Sequence, residues 1–164
     1  MKTKRIALDA LLTAIALIIF VVELLVPLPF PVPGVKLGLS NVVTLFALFA
    51  CGPVDALIIL LLRIGLGTIF GGNLSAILYS LAGGLLCYLV ILLMRKAVKP
   101  KQIWFCGVFG AIAHNVGQMA VATLVTGTPE ILYYLPVLII AAIVTGSLTG
   151  LIAQSILHKM KKIR

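Results

Sequence analysis

The sequence predicts an all-α integral membrane protein, a bundle of six transmembrane helices with both termini on the cytoplasmic side. Apolar residues make up 62% of the 164-residue chain and charged residues only 10%, a composition outside the range of ordinary soluble domains. The apolar residues are gathered in long runs, and the basic residues lie in blocks between those runs. Both observations indicate that lipid is the solvent of this chain.

Four apolar runs are long enough to cross a hydrocarbon layer of about 30 Å at about 1.5 Å per helical residue. They cover residues 6–26, 74–94, 103–125 and 131–157. The first run follows a basic N-terminus, but it is too long for a signal peptide and no small-residue cleavage site follows it, so we expect it to remain as a span. In the last run Pro136 allows a kink.

The region from Leu39 to Phe70 is harder to count, because Gly52 and Pro53 divide it into apolar pieces at 39–50 and 54–70. Eleven of the thirteen lysines and arginines fall in three blocks, and such blocks are retained on the cytoplasmic side. A hairpin that turns at Gly52 and Pro53 keeps all three blocks there, whereas a single crossing does not. We therefore expect one transmembrane domain over residues 1–164, with six spans and a short second helix of the kind that often lines a substrate cavity.

Composition and motifs exclude several classes of function. The net charge of +9 comes mainly from the anchoring blocks, so it predicts no nucleic-acid surface. The three cysteines have neither CxxC spacing nor a histidine at ligand distance, so no metal site is expected.

Ionisable and amide side chains inside the apolar runs mark candidate functional positions, because an arginine at mid-span costs about 2.5–3.5 kcal/mol. Arg63 lies near the middle of the third span, and His114, Asn115 and Gln118 reach a similar depth in the fifth. We expect these four to share a ligand-binding cavity. The alternatives are that Arg63 pairs with Glu23 or with backbone carbonyls, and that the other three only form hydrogen bonds between helices.

Further candidates lie toward the outer ends of the spans. Glu23 closes the first span, Lys36, Ser40 and Asn41 follow a proline-rich loop, and Asn73 follows two glycines. Ser40 and Asn41 begin the short helix, where free N–H groups and the helix dipole favour a negative or carbonyl-bearing ligand. The same residues would serve equally well as helix caps.

Small residues four positions apart let helix backbones approach closely. Pairs with this spacing in the apolar runs include Ala10 and Ala14, Gly67 and Gly71, and Gly146 and Gly150. Most are expected to pack inside the bundle. Ala10 and Ala14, on the first span, are the pair expected to meet another subunit.

Two motifs resemble those of known membrane families. Val35–Leu45 (VKLGLSNVVTL), followed by Gly52–Ala56 (GPVDA), resembles the loop and second span of the substrate-binding S components of energy-coupling factor vitamin transporters. His114–Gln118 (HNVGQ) resembles the signature of a narrower relative, the Gx transporter family, which also carries the name heptaprenyl diphosphate synthase component I. The resemblance covers nearly the whole chain.

This resemblance implies an S-component-like fold in a bacterial cytoplasmic membrane, with an outward-facing cavity covered by the loop after the first span. It implies binding rather than catalysis, of a vitamin, a quinone or an isoprenoid, without a covalently bound cofactor. The AxxxA motif of Ala10 and Ala14 would dock a transmembrane coupling subunit. ATP hydrolysis would belong to separate partner ATPases, because this chain has no GxxxxGK[ST] loop.

Two alternatives remain. Prenyl diphosphate synthases bind Mg-diphosphate through closely spaced aspartates, whereas this chain has only Asp9 and Asp55, so it would be at most an accessory subunit that holds an isoprenoid for a synthase partner. The chain also resembles membrane components of flavin-based extracellular electron transfer. It has no haem or cysteine-cluster motif, so in that role it would bind a quinone or flavin carrier, or a redox partner.

Overall fold

The computed structural model describes residues 2–25, 36–71 and 76–163, and the regular elements in these ranges are all helical. Two 3-10 turns, Pro100–Gln102 and Pro129–Tyr134, lead into the last two long helices. The six α-helices are α1 (Lys2–Leu24), α2 (Asn41–Ala50), α3 (Pro53–Gly71), α4 (Ala76–Met94), α5 (Ile103–Thr126) and α6 (Leu135–Ile163).

Five of these helices, all except α2, are long and apolar enough to cross a membrane. Their outer faces expose large apolar side chains such as Ile18, Ile69, Leu93 and Ile140. Helices satisfy their own backbone hydrogen bonds, which is what a lipid environment requires of a spanning segment. The prediction of an all-helical, multi-pass membrane protein is confirmed.

Helix α2 is the buried centre of the bundle. It has ten residues, about 15 Å at helical rise, and it packs on all five other helices. Leu45, Ala47 and Leu48 are at most 1% exposed. The expected short helix is therefore present, but it begins at Asn41, two residues later than predicted, because the backbone turns before it.

Three side-chain contacts identify the helix ends that meet. Arg5, near the start of α1, forms a salt bridge with Asp55, near the start of α3. The Tyr88 hydroxyl, late in α4, donates to the carbonyl of Pro53 over 3.0 Å. The start of α5 packs on the second half of α6, where the Trp104 N–H donates to Oε1 of Gln154 over 3.2 Å. We call the end of the bundle where these three contacts lie the Arg5 end, and the opposite end the Glu23 end.

The closest helix contact joins α5 and α6. Gly107 lies directly on the backbone of Gly146 and Gly150, and a Cβ added to Gly150 would lie 2.5 Å from the carbonyl oxygen of Trp104. The Gly146 and Gly150 pair thus packs inside the bundle, as its spacing indicated.

The last span differs in one respect from its predicted form. Pro136 is the second residue of α6 and follows a 3-10 turn. In the first turn of a helix the missing N–H of proline is not needed. Pro136 therefore starts α6 instead of kinking it, and the kink it allowed is not formed.

Candidate functional site

A buried polar cluster lies near the Glu23 end of the bundle, beneath the segment 36–40. It unites seven of the nine candidate binding residues from five parts of the chain: Glu23 on α1, Lys36 and Ser40 on the segment, Asn41 on α2, Arg63 on α3, and His114 and Gln118 on α5. All of them except Lys36 are less than 9% exposed. We call this group the polar cluster.

Arg63 is the central cation of the polar cluster. Its Nη1 donates to Oγ of Ser40 over 2.7 Å, and its Nη2 donates to Oδ1 of Asn41 over 3.4 Å. Both acceptors are neutral, and the third donor, Nε, has no partner among the described residues. The salt bridge found in the described ranges is the one between Arg5 and Asp55. Arg63 is thus tied to the start of α2, not to Glu23.

Two backbone bonds hold the segment 36–40 over the polar cluster. The Lys36 N–H donates to Oε1 of Gln118 on α5 over 3.0 Å. The Gly38 N–H donates to Oε1 of Glu23 on α1 through a short hydrogen bond. The segment is therefore fastened to two different helices by side chains of the polar cluster.

The imidazole of His114 is enclosed between two glycines. A Cβ added to Gly38 would lie 2.7 Å from Cδ2 of His114, and one added to Gly83 on α4 would lie 2.8 Å from its Nδ1. Gly38 also has φ +76°, a left-handed backbone that favours glycine. Larger residues at these two positions would collide with the ring, so the glycines set how deeply His114 is buried.

The charges of the polar cluster do not balance. Two cations, Lys36 and Arg63, face one carboxylate, Glu23. Burial lowers the pKa of Lys36, the Glu23 charge opposes this shift and the Arg63 charge adds to it. Phe20 on α1 compensates in part, because Nζ of Lys36 lies 4.0 Å from its ring centroid and Cζ of Arg63 lies 5.9 Å from it.

Several buried polar atoms in this region have no hydrogen-bond partner among the described residues. They are Nδ2 of Asn41, Nε of Arg63 and Nδ1 of His114. Buried polar atoms are nearly always paired, so a group of orphans in one place is unusual. Two of them, Nδ2 of Asn41 and Nε of Arg63, are N–H donors that can donate hydrogen bonds to oxygen atoms of a bound molecule.

Asn115 points away from the polar cluster. Its Nδ2 donates to the carbonyl of Leu138 on α6 over 2.8 Å. Successive residues of an α-helix are about 100° apart around the axis, so Asn115 cannot face the same side as His114. Asn115 therefore forms a hydrogen bond between helices, which is the alternative to ligand binding given in the sequence analysis.

The remaining candidates lie elsewhere. Ala10 and Ala14 are exposed on the outer face of α1. Asn73 lies outside the described residues.

Sequence reasoning missed one residue of the polar cluster, Phe20, and one ion-pair partner outside it, Asp55. Phe20 is an ordinary apolar residue in sequence, and only the path of segment 36–40 brings Lys36 over its ring. Asp55 lies outside the polar cluster, at the Arg5 end, and is named in the sequence analysis only as an aspartate and as part of the GPVDA motif. Its place next to the Gly-Pro break predicts that it lies at the same membrane face as the basic N-terminus, but not which basic residue it pairs with. It is 2% exposed and accepts from Nε of Arg5 over 2.9 Å.

A narrow cavity adjoins the polar cluster between α2, α4, α5 and α6. Its volume is about 10 Å³, and Gly38 and Asn41 line one end of it. The segment 36–40 lies over the polar cluster next to this cavity.

Comparisons with known proteins identify the family. No curated protein and no solved structure matches the chain. The family model described as heptaprenyl diphosphate synthase component I matches residues 12–156. This range runs from α1 to α6, contains the whole polar cluster and agrees with the name reached from the HNVGQ motif. The chain belongs to the heptaprenyl diphosphate synthase component I family.

Proposed function

We propose that this chain is a membrane-embedded binding protein for a small molecule with an anionic group, and that it has no catalytic activity of its own. The observation that carries this proposal is the buried guanidinium of Arg63, whose acceptors on Ser40 and Asn41 are both neutral. The single carboxylate of the polar cluster, Glu23, faces both Arg63 and Lys36, so one positive charge remains uncompensated among the described residues, and an uncompensated buried charge costs several kcal/mol. A carboxylate or phosphate group bound at Arg63 would supply the missing charge through strong, charge-assisted hydrogen bonds.

The surroundings of Arg63 support the same conclusion. Lys36 adds a second cation, and Asn41 adds an orphan N–H donor. The segment 36–40 would act as the cover, because its bonds to Gln118 and Glu23 can open without unfolding a helix. A buried polar site under a movable segment fits uptake of a small molecule from outside better than it fits a purely structural role.

The topology we propose places both termini in the cytoplasm of a bacterial inner membrane. Helix α2 then counts as the second of six spans, although it is too short to cross alone. The meeting of the starts of α1 and α3 through Arg5 and Asp55 supports this arrangement. So does the S-component-like order of a short second helix behind a covering loop.

Three partner classes are compatible with the proposed binding site. In a substrate uptake system, the exposed Ala10 and Ala14 would dock a transmembrane coupling subunit that works with ATPases. The family name favours instead an accessory subunit of a prenyl diphosphate synthase, whose diphosphate would fit the cationic polar cluster. An electron-transfer partner with a quinone or flavin carrier is the third option.

The binding proposal is tested by comparing ligand recovery from wild type, Arg63→Gln and Arg95→Gln, each purified in lipid nanodiscs. Arg95 is the matched control, because it lies in the turn after α4, away from the polar cluster. Mass spectrometry of released small molecules should find an anionic compound in wild type and Arg95→Gln, reduced at least tenfold in Arg63→Gln. Equal recovery from all three proteins would overturn the proposal.

A second experiment separates the partner classes. The double variant Ala10→Leu with Ala14→Leu is compared with Ile18→Leu, an exposed position on the same helix, by affinity purification from the native host membrane. Recovery of a coupling subunit with ATPases that the alanine double variant loses supports transport. Recovery of a synthase or redox protein supports the accessory role.

A further inference from the structure

The cavity beside the polar cluster extends toward the Arg5 end of the bundle. It begins at Gly38 and Asn41 and continues past Leu45, Ile91 and Gly107. Gly107 lies seven residues, about 10 Å, closer to the Arg5 end than His114 does, and Ile91 is three residues from the Arg5 end of α4. The cavity thus forms a seam that leads from the polar cluster into the other half of the bundle.

The two ends of this seam differ in polarity. Leu45, Cys87, Ile91 and Ala111 line it with apolar groups, and the first three are at most 2% exposed. Two threonines also line it, but their hydroxyls are engaged within their own helix.

Those threonines donate to helix carbonyls, Thr145 to Ala141 over 2.9 Å and Thr149 to Thr145 over 2.8 Å. Among the described residues, the buried side-chain atom of the lining that lacks a hydrogen-bond partner is Nδ2 of Asn41, on a side chain that is 7% exposed. Since Oδ1 of the same amide accepts from Arg63, Asn41 joins the seam to the polar cluster.

We propose that this seam receives the apolar tail of a single-chain anionic amphiphile whose head group binds at Arg63 and Asn41. The proposal rests on the anion-binding function and adds the chemical class of the ligand. The present volume, about 10 Å³, is that of about one water. Entry of a tail therefore requires the buried side chains of Leu45 and Ile91, which line the seam, to move apart. Because four helices line the seam and their side chains must separate for a tail to enter, one chain is accommodated at a lower cost than the two chains of a phospholipid.

The test uses wild-type protein in phosphatidylcholine nanodiscs, titrated with inorganic phosphate, butyl phosphate and hexyl phosphate. These probes share a head group and differ only in tail length. Burial of a methylene strengthens binding by up to about fourfold. We therefore expect hexyl phosphate to bind at least tenfold more tightly than inorganic phosphate. Arg63→Gln should weaken all three probes.

Two pairs of variants locate the tail. Ala111→Phe should remove the advantage of hexyl phosphate without changing phosphate binding, whereas Val116→Phe, on the exposed face of the same helix, should leave both unchanged. If Ala111→Phe does not fold, Ile91→Ala serves instead, since it widens the seam and should increase the preference for hexyl phosphate. Its control is Leu89→Ala, which is 50% exposed.

The outcomes distinguish failure of the tail subsite from failure of the proposed anion-binding function. Arg63-dependent binding of phosphate with no effect of tail length, or equal loss of phosphate and hexyl phosphate in Ala111→Phe, overturns the tail subsite and leaves anion binding intact. Displacement of hexyl phosphate by two-chain phosphatidic acid in the nanodisc overturns the single-chain assignment. If no probe binds, the anion-binding function fails and the inference with it.

Discussion

Nη1 of Arg63 on α3 donates to Oγ of Ser40, 2.7 Å away, and both residues are buried. Ser40 immediately precedes α2, but its side chain makes no capping bond to that helix. The Ser40 hydroxyl therefore accepts a hydrogen bond from Arg63 and does not cap α2. Through this bond the position of the covering segment depends on the charge at the centre of α3.

Removal of the Ser40 hydroxyl should destabilise the protein. Hydrogen bonds to charged groups contribute about 1.5–3 kcal/mol, so Ser40→Ala should lower the free energy of unfolding by that amount, measured by chemical unfolding in detergent. Ser155→Ala, at an exposed position of α6, is the control and should change little. A Ser40→Ala protein as stable as the control would mean that Arg63 does not depend on this acceptor.

A methyl group at Gly83 should disturb the polar cluster. It would lie 2.8 Å from Nδ1 of His114 and 2.9 Å from Cγ of Gln118, and overpacking of this kind costs about 1–3 kcal/mol. We expect Gly83→Ala to lower the melting temperature and to weaken ligand recovery.

Gly65→Ala is the matched control on α3, because an added Cβ there meets nothing within 4 Å. Alanine also favours a helix over glycine by about 1 kcal/mol, so this variant should be as stable as wild type or more stable. If Gly83→Ala behaves like Gly65→Ala, the close contact with His114 does not constrain the site.

The depth of the polar cluster could be predicted from sequence, since helical rise and hydropathy place Arg63, His114 and Gln118 at similar levels. The direction of each side chain could be predicted only in part. The spacing of four residues puts Gln118 on the same face as His114, and the same geometry could have assigned Asn115 to another face. The contacts of Lys36 could not be predicted, because they depend on the path of an irregular segment.

The count of spans around Gly52 and Pro53 rests on charge parity and not on hydropathy, and it stays a prediction. The pieces on either side of Gly52 and Pro53 are too different in length to be counted by apolar content alone. The buried partner of Arg5, by contrast, required the tertiary packing of α1 on α3. Pro136 illustrates the remaining limit, because a proline near a helix end can start the helix or kink it, and the choice depends on the turn before it.

A variant that lacks the side-chain acceptor of Gln118 should hold the segment 36–40 less firmly. Gln118→Leu leaves the Lys36 N–H without its partner, so hydrogen–deuterium exchange over residues 36–40 should become at least tenfold faster. Gln154→Leu is the control, because Gln154 also accepts one backbone N–H, from Trp104 near the Arg5 end. It should speed exchange near Trp104 and leave residues 36–40 unchanged. Equal exchange over 36–40 in both variants would show that Gln118 does not hold the segment.

The orientation of the bundle is tested by single-cysteine labelling. In a background with the three native cysteines replaced by alanine, Lys4→Cys, Lys99→Cys and Lys159→Cys should react with a membrane-impermeant maleimide in inverted vesicles and not in whole cells. Glu130→Cys should do the reverse.

Lys4 and Lys99 are expected on the same side of the membrane because of the contacts at the Arg5 end. Asp55 joins the starts of α1 and α3 there, and Tyr88 brings the last part of α4 to the same place. If α2 did not reverse the chain, Lys4 and Lys99 would lie on opposite sides of the membrane. Labelling of one from outside and the other from inside would therefore refute the six-span arrangement, and with it the outward-facing position of the polar cluster.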